Sequence, residues 1–348
     1  MGARAQSRIA RRGSPARGDR AGVRRRPVRS ASRLGRRSLS TTHATSFELP
    51  FKAPYDWARV LRFFAGRATP GVEAVEEETY RRAIEWAGAS GTLGVARHPR
   101  KQRLVVTVEG EAGRHAQALA PHVATMFDVA ADPKLIGAHL GLDPWLAPLV
   151  QTAPGLRLPG AWSAFELVVR AIVGQQVSVK AATTLIGRLV VRAGARIEDH
   201  PHPGTAWRFP SPAALAAADL ANIGMPGKRV AALQGLARAV ASGEVPIDDI
   251  HAARIPAAAL AQARSALLAL PGIGPWTVEY IAMRAWRDVD AFPATDLVLM
   301  QAIAARDPSL ARAPAQRART ERWRPFRAYA AMHLWNEIAD RAGGQRGG

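Results

Sequence analysis

The sequence predicts an α+β protein, in which a small mixed domain comes first and an all-helical domain follows. Two observations support this prediction. Apolar residues alternate between Arg103 and Glu109, with the two-residue period of a β-strand that buries one face. Beyond about residue 131, capping residues recur, and short Pro- and Gly-bearing breaks separate the apolar runs, as in a compact helical domain.

The composition restricts the possible functions. No apolar run reaches the length of a membrane-spanning helix, so we expect a protein of the cytoplasm. The absence of cysteine excludes disulfides, a thiol nucleophile and cysteine-ligated zinc or iron–sulfur clusters. The nine histidines show no divalent-metal spacing, and we expect no cofactor. A net charge of +20 favours a polyanionic partner.

Much of this charge lies in residues 1–45, which we expect to be a disordered tail. Residues 1–40 hold thirteen Arg and one acidic residue, Asp19, an excess of +12 that leaves +8 for the rest. Three interpretations stay open: a nonspecific DNA-binding arm, a transit peptide, or an overlong start of the reading frame. The heavy use of Ala and Arg is typical of a GC-rich bacterial genome and disfavours the transit peptide.

The first domain is expected at residues 46–130. Asp56 is placed to cap a helix that ends before Gly66. Strands are predicted at Tyr80–Ala87 and Arg103–Glu109, and a second helix at Gly113–Met126.

The second domain is expected at residues 131–341, followed by a frayed end at 342–348. Ser163 and Glu166 form a capping-box pattern, and Gly174 ends that helix. Ser178 can cap the next helix, to about Ala193. Breaks at 201–212, 224–227 and 271–275 separate further helices.

The most informative stretch is LALPGIGPWTVEYI, residues 268–281. We expect a helix to end at Leu270, a turn to follow, and Pro275 to open the next helix. Gly272 and Gly274 can take positive φ and let a phosphate approach the amides at the helix start. The alternative is an ordinary helix corner with two glycines. The similar stretch at 220–226 is interpreted as a packed corner.

Residues 268–296 resemble the helix-hairpin-helix and catalytic-aspartate signature of DNA glycosylases. More specifically, the chain resembles bacterial 3-methyladenine DNA glycosylase II over about residues 47–340. The stretches that carry the resemblance are PYDW at 54–57, PGLRLPG at 154–160, RAIVGQ at 170–175, 270–280, WRPFRAY at 323–329 and HLW at 333–335. The resemblance implies a first domain like half of the TATA-binding-protein fold, and a monomer that binds duplex DNA containing alkylated bases.

Asp296 falls on the catalytic aspartate of the family. Position alone favours a simple helix cap, but the resemblance reverses that preference. With Thr295 as the cap, Asp296 would lie in the first helical turn, where the dipole favours the ionised form. A carboxylate there stabilises oxocarbenium character on the sugar and orients water. Asp288 and Asp290 lie off the motif and are interpreted as solvated loop charges.

Trp276 stands where related enzymes that also nick the strand have a lysine. An indole forms no Schiff base, so the sequence predicts base removal by water alone. Trp276, Tyr280, Trp335 and Phe63 fall on aromatic pocket positions of the family, where they would stack on an extruded cationic base. Core packing is the alternative for any one of these rings.

The resemblance also assigns the DNA contacts. Gly272, Ile273, Gly274 and Thr277 would form the phosphate-binding hairpin. Main-chain oxygens of Leu268, Leu270 and Ile273 could hold a monovalent cation. Gln176 falls at the wedge position, where the family has a leucine that fills the gap left by the flipped base. The sequence leaves open whether a glutamine fills that gap.

The sequence therefore predicts a monofunctional glycosylase for alkylated purines. One rival is a noncatalytic DNA-binding module that keeps the hairpin. A second is a glycosylase for oxidised bases, which Trp276 disfavours. A fused transcriptional activator would need a cysteine-bearing methyl-acceptor domain, which a chain without cysteine does not contain.

Overall fold

The computed structural model describes residues 44–198, 200, 202–248, 250–310 and 312–344. The predicted tail, apart from its last two residues, and the last four residues of the predicted frayed end lie outside these ranges. No helix in the described ranges is long and apolar enough to cross a membrane.

The first part of the described chain is a five-stranded antiparallel sheet with two helices packed on it. The strands are β1 (Ala44–Pro50), β2 (Glu73–Glu76), β3 (Thr79–Trp86), β4 (Ala89–Arg97) and β5 (Arg103–Glu109), in the order β1-β5-β4-β3-β2. Leu104, Val106 and Val108 are fully buried, so the predicted alternation in β5 is confirmed. The predicted strand at Tyr80–Ala87 corresponds to β3.

The two helices of this part are α1 (Trp57–Ala65) and α2 (Ala116–Met126). The side chain of Asp56 accepts a hydrogen bond from the Arg59 amide, and Gly66 follows the last turn, so the predicted helix α1 is confirmed. Helix α2 begins three residues later than predicted, because a 3₁₀ turn occupies Glu111–His115.

The rest of the described chain is almost wholly helical. The helices are α3 (Pro133–Leu140), α4 (Ala147–Thr152), α5 (Ala164–Val173), α6 (Val179–Ala193), α7 (Pro212–Ala217), α8 (Gly227–Ala241), α9 (Ala257–Leu268), α10 (Pro275–Arg284), α11 (Leu297–Ala304), α12 (Ala313–Thr320) and α13 (Arg327–Gly344). The hydroxyls of Ser163 and Ser178 cap α5 and α6 as predicted. The predicted corner before α8 is packed, since Leu220 and Ile223 are buried. The α+β fold class is therefore confirmed.

One departure from a purely helical second part is a pair of two-residue strands, β6 (Ala195–Arg196) and β7 (Trp207–Arg208). The Trp207 amide donates to the Gly71 carbonyl at 2.8 Å, so β7 ties this ribbon to the sheet part. Sequence periodicity does not reveal strands as short as these.

A polar network joins the two parts around Asp128. Its carboxylate accepts from Arg287 at 2.6 Å, from the Tyr329 hydroxyl at 2.9 Å and from the Leu158 amide at 2.9 Å. Arg157 donates to the carbonyls of Asp128 and Pro54. Asp128, Arg157 and Arg287 are buried, and their hydrogen bonds hold the two apolar cores against each other.

Candidate active site

The turn between α9 and α10 has the geometry of the predicted hairpin, with two corrections. Helix α9 ends at Leu268 rather than at Leu270. Gly272 has φ +82°, as predicted, whereas Gly274 has φ −106° and is extended. The reason is that Gly274 is the residue before the helix, where extended backbone is the usual conformation.

One backbone amide of the hairpin donates a hydrogen bond within the turn, whereas two others have no acceptor inside the helix. The Ile273 amide donates to the Leu270 carbonyl, so it is already used within the turn. The first helical bond of α10 runs from the Val278 amide to Gly274, and this leaves the Trp276 and Thr277 amides without a helical acceptor. Such amides at a helix start favour an anion.

Two side chains of the hairpin are buried, whereas its backbone at Gly274 borders open space. Ile273 and Thr277 are 7% and 2% exposed, so their contribution to phosphate binding would come mainly through the main chain. A Cβ atom added at Gly274 would meet nothing within 4 Å, which leaves open space beside the backbone. The Leu270 oxygen already accepts one bond, and the cation site at Leu268, Leu270 and Ile273 stays a prediction.

The predicted wedge lies in the loop between α5 and α6. Gln176 is exposed and has φ +57°, a left-handed conformation that is uncommon for a residue with a side chain. Its neighbour Gln175 donates from Nε2 to the Gly272 carbonyl at 2.8 Å. This bond connects the wedge loop directly to the hairpin turn, so the two predicted DNA contacts are held in one arrangement.

Asp296 is itself the cap of α11. Its Oδ1 accepts from the Leu299 amide at 3.0 Å, and this corrects the prediction that Thr295 caps the helix and Asp296 follows in the first turn. The Asp296 backbone is extended, as a capping residue requires. The capping alternative is therefore true of Asp296, but it describes only part of its environment.

Two indoles also donate to this carboxylate. The Trp335 Nε1 lies 3.0 Å from Oδ1, and the Trp276 Nε1 lies 2.9 Å from Oδ2. A simple cap does not need them. Three N–H donors from α10, α11 and α13 fix the orientation of the carboxylate, which is half-buried and reaches a cavity.

Three of the four predicted aromatic residues meet beside this carboxylate. Trp276 and Tyr280 are stacked, with ring centroids 5.1 Å apart and planes at 10°, as their four-residue spacing predicts. Tyr280 and Trp335 meet edge to face at 6.3 Å. Phe63 lies apart from these three: it packs against both apolar cores, between the guanidiniums of Arg67 at 4.0 Å and Arg284 at 4.7 Å.

The cavity beside Asp296 has a volume of about 530 Å³, within the range of small-ligand pockets. Its walls come from α5, α6, α10, α11 and α13 and from the residue Arg67 that follows α1. The lining side chains and backbone belong to Arg67, Leu167, Arg170, Ala171, Gly174, Gln175, Val179, Trp276, Tyr280, Arg284, Asp296, Val298, Trp335, Ile338, Ala339 and Ala342. Neither Phe63 nor Gln176 is among them.

The turn that carries Asp296 is held by Glu279 of α10. The Glu279 carboxylate accepts from the Phe292 amide and from Arg264 of α9, both at 3.1 Å. Arg264 also donates to Asp288 at 2.6 Å, and Asp290 pairs with Arg327. Asp288 and Asp290 are thus ion-paired rather than solvated loop charges, which corrects the sequence interpretation.

Three arginines of the cavity were not identified from the sequence: Arg67, Arg170 and Arg284. Burial alone would raise the pKa of the Tyr280 hydroxyl, but the guanidiniums of Arg284, Arg67 and Arg170 lower it. Burial also lowers the pKa of Arg284. The only sequence signal was that Arg170 stands within a stretch that carries the resemblance, since nothing in the sequence distinguishes a cavity arginine from a surface one.

Comparison with known proteins gives two family matches, which together cover most of the described chain. Residues 46–163 match the AlkA N-terminal domain, and residues 169–325 match the HhH-GPD superfamily of base excision DNA repair proteins. The chain is similar in fold to a 3-methyladenine DNA-glycosylase from Archaeoglobus fulgidus, with a TM-score of 0.69 and 22% identity over 83% of this chain and 96% of that one.

Two curated relatives are more similar in sequence. The probable bifunctional transcriptional activator/DNA repair enzyme AlkA of Mycobacterium tuberculosis is 35% identical over 89% of this chain, which spans 60% of the length of that relative. The DNA-3-methyladenine glycosylase 2 of Escherichia coli is 38% identical over 83% of this chain and 96% of its own length. The chain therefore belongs to the HhH-GPD superfamily of base excision DNA repair proteins, in the branch of DNA-3-methyladenine glycosylase 2.

Proposed function

We propose that this protein removes alkylated purines from duplex DNA by hydrolysing the N-glycosidic bond of a flipped-out nucleotide. The observation that carries the proposal is the carboxylate of Asp296, which the indoles of Trp276 and Trp335 hold at the edge of an aromatic cavity. The relative named DNA-3-methyladenine glycosylase 2, at 38% identity, supports the substrate class.

In the proposed reaction, the bond between C1′ and the purine nitrogen breaks, and its electron pair leaves with the base. Positive charge develops on the sugar and is stabilised by the Asp296 carboxylate. A water molecule, which the carboxylate orients, then attacks C1′ and gives its proton to that carboxylate. Ring alkylation makes the base a better leaving group, so a single carboxylate is sufficient.

The same arrangement leads us to propose an intact abasic strand as the product. Trp276 lies at the start of α10, where the resemblance places the lysine of strand-nicking relatives, and its Nε1 donates to Asp296. An indole cannot form the Schiff base that strand cleavage requires. The Gly272–Thr277 backbone would hold a phosphate, and Gln176 would fill the gap left by the base. We further propose a monomer that works on DNA in the cytoplasm.

The test is release of methylpurines from methylated duplex DNA by the wild type and by Asp296→Asn, with strand breaks scored before and after alkali. We expect release by the wild type, loss of at least about a hundredfold in the variant, and breaks only after alkali. Asp307→Asn, which changes a carboxylate beyond the other end of α11, is the matched control.

Each alternative gives a different result. Tight DNA binding by the wild type with no release of any base would favour the noncatalytic module. Release of oxidised rather than methylated purines would favour the glycosylase for other damaged bases. Breaks without alkali would overturn the inference from Trp276.

A further inference from the structure

A second cavity, with a volume of about 370 Å³, lies along a different side of α10. Trp276 and Tyr280 line the cavity beside Asp296, whereas Pro275 lines the second one. The turn before α11 is divided in the same way, since Thr295 lines the second cavity and Asp296 the first. The first turn of α10 therefore lies between the two cavities.

The charges that line the second cavity do not cancel. Among the described residues that line it are three arginines and two glutamates. Arg264 donates to Glu279 at 3.1 Å, and Arg327 donates to Glu321 at 2.7 Å. Both carboxylates of the cavity are thus paired with a guanidinium of the same cavity. The positive charge that remains belongs to Arg317.

Arg317 has a fixed backbone and a free guanidinium. Its side chain is exposed, and within the residues that the structure describes no group accepts a hydrogen bond from it or pairs with it. Its carbonyl accepts from the Thr320 hydroxyl at 2.9 Å. The preceding residue, Gln316, is fully buried and donates to the Met300 carbonyl of α11 at 3.1 Å. Unused N–H donors therefore start from a defined place relative to α11, the helix that Asp296 caps.

We propose that Arg317 binds a backbone phosphate of the DNA strand that carries the flipped nucleotide. The inference rests on the proposed function, which places that nucleotide in the cavity beside Asp296 and a phosphate of its strand at the start of α10. Phosphates of one strand follow each other at about 3.4 Å along the duplex axis, so a neighbouring phosphate lies beside the second cavity. A guanidinium fork matches phosphate oxygens, and such a contact holds the strand without reading its sequence.

The first test is the salt dependence of DNA binding. Arg317→Met removes the charge and the donors, and Arg317→Lys keeps the charge. Arg100→Met is the matched control, since Arg100 is an exposed arginine between β4 and β5 that lines neither cavity. Fluorescence anisotropy gives the Kd for a duplex with one abasic site at several salt concentrations.

For Arg317→Met we expect binding to weaken about three- to tenfold at about 0.1 M salt. The slope of log K against log salt should fall in magnitude by about 0.9, because one phosphate contact is lost. Arg317→Lys should keep the slope of the wild type, and Arg100→Met should keep both the slope and the Kd. An unchanged slope in Arg317→Met, or an equal loss in Arg100→Met, would overturn the inference.

The second test locates the contact on the DNA. An uncharged methylphosphonate replaces one phosphate at a time in both strands of the same duplex. At one position in the strand with the abasic site, we expect the wild type to bind as weakly as Arg317→Met. A difference between the two proteins that persists at every position, or that disappears only for the opposite strand, contradicts the proposal.

Release of methylpurines is scored separately, so that the two proposals fail in different ways. A wild type that shows the Arg317 phosphate contact but releases no base would overturn the proposed function alone. A wild type that releases methylpurines while Arg317→Met binds DNA as tightly as the wild type would overturn the phosphate contact alone.

Discussion

The Asp296 carboxylate illustrates how one residue serves both the fold and the proposed chemistry. One oxygen caps α11 and accepts the Trp335 indole, and the other accepts the Trp276 indole. Capping restrains the backbone, and the two indoles restrain rotation of the carboxylate. The same contacts that stabilise the start of α11 therefore aim the group at the cavity, which is the preorganisation that electrostatic catalysis requires.

The first prediction concerns the Trp335 indole. Trp335→Phe keeps an aromatic ring but removes the N–H that donates to Asp296. A hydrogen bond to a charged group contributes about 1.5 kcal/mol, so we expect the single-turnover rate of methylpurine release to fall about tenfold. Trp207→Phe, the same change in β7, is the control. A rate equal to that of the wild type would show that this indole does not orient the carboxylate.

At the scale of elements, the hairpin and the wedge loop form one unit. Gln175 of the wedge loop donates to the carbonyl of Gly272, and the Gly272 turn packs against α8. The two glycines of the turn have different roles. Gly272 requires positive φ, and a Cβ added there would lie 2.9 Å from that of Ala232, whereas a Cβ on Gly274 would point into open space.

The second prediction uses this difference. Gly272→Ala should lower the free energy of unfolding by about 1–2 kcal/mol, because the left-handed backbone and the close Ala232 contact both oppose a methyl group. Gly274→Ala should change stability by less than about 1 kcal/mol but weaken DNA binding about tenfold, since its methyl takes space that a phosphate would need.

Denaturant unfolding and fluorescence anisotropy with an abasic duplex measure the two quantities, and each variant is the control for the other. Equal losses of stability would contradict the assignment of Gly272 as the strained position. Unchanged DNA affinity in Gly274→Ala would argue against phosphate binding at this face of the hairpin.

Elements with strong local signals were predictable from the sequence. Helix α5, between Ser163 and Gly174, has its expected cap and end, and β5 has its expected buried face. Strands β1, β2 and β4 were missed. β4 contains two glycines and little alternation, so sheet pairing rather than local preference makes it a strand. Tertiary contacts likewise decide which arginines face the cavity.

At the scale of the whole molecule, the seam between the sheet part and the helical part positions the cavity. Arg67 follows α1 on the sheet side, and Trp276, Asp296 and Trp335 come from the helical side. The Asp128 network fixes this seam through buried hydrogen bonds. The cavity beside Asp296 therefore depends on the stability of the whole unit rather than on either core alone.

The third prediction concerns acid sensitivity of that whole unit. Burial, with a smaller contribution from Arg59, lowers the pKa of His333 in α13 from about 6.5 to about 4. The unfolded chain therefore binds more protons than the folded protein between these values, and stability falls as the pH drops from about 6.5 to about 4. Burial likewise lowers the pKa of His122 to about 4. His333 alone should account for a loss of about 3 kcal/mol.

His333→Met, which replaces the imidazole by an unbranched apolar side chain, should lose that part of the pH dependence. We expect the difference in unfolding free energy between pH 7 and pH 4.5 to be smaller than in the wild type by about 2–3 kcal/mol, as measured by denaturant titrations at several pH values. The His333→Met variant could instead lose as much unfolding free energy in acid as the wild type. In that case other groups, with His122 first among them, would carry the titration that destabilises the fold.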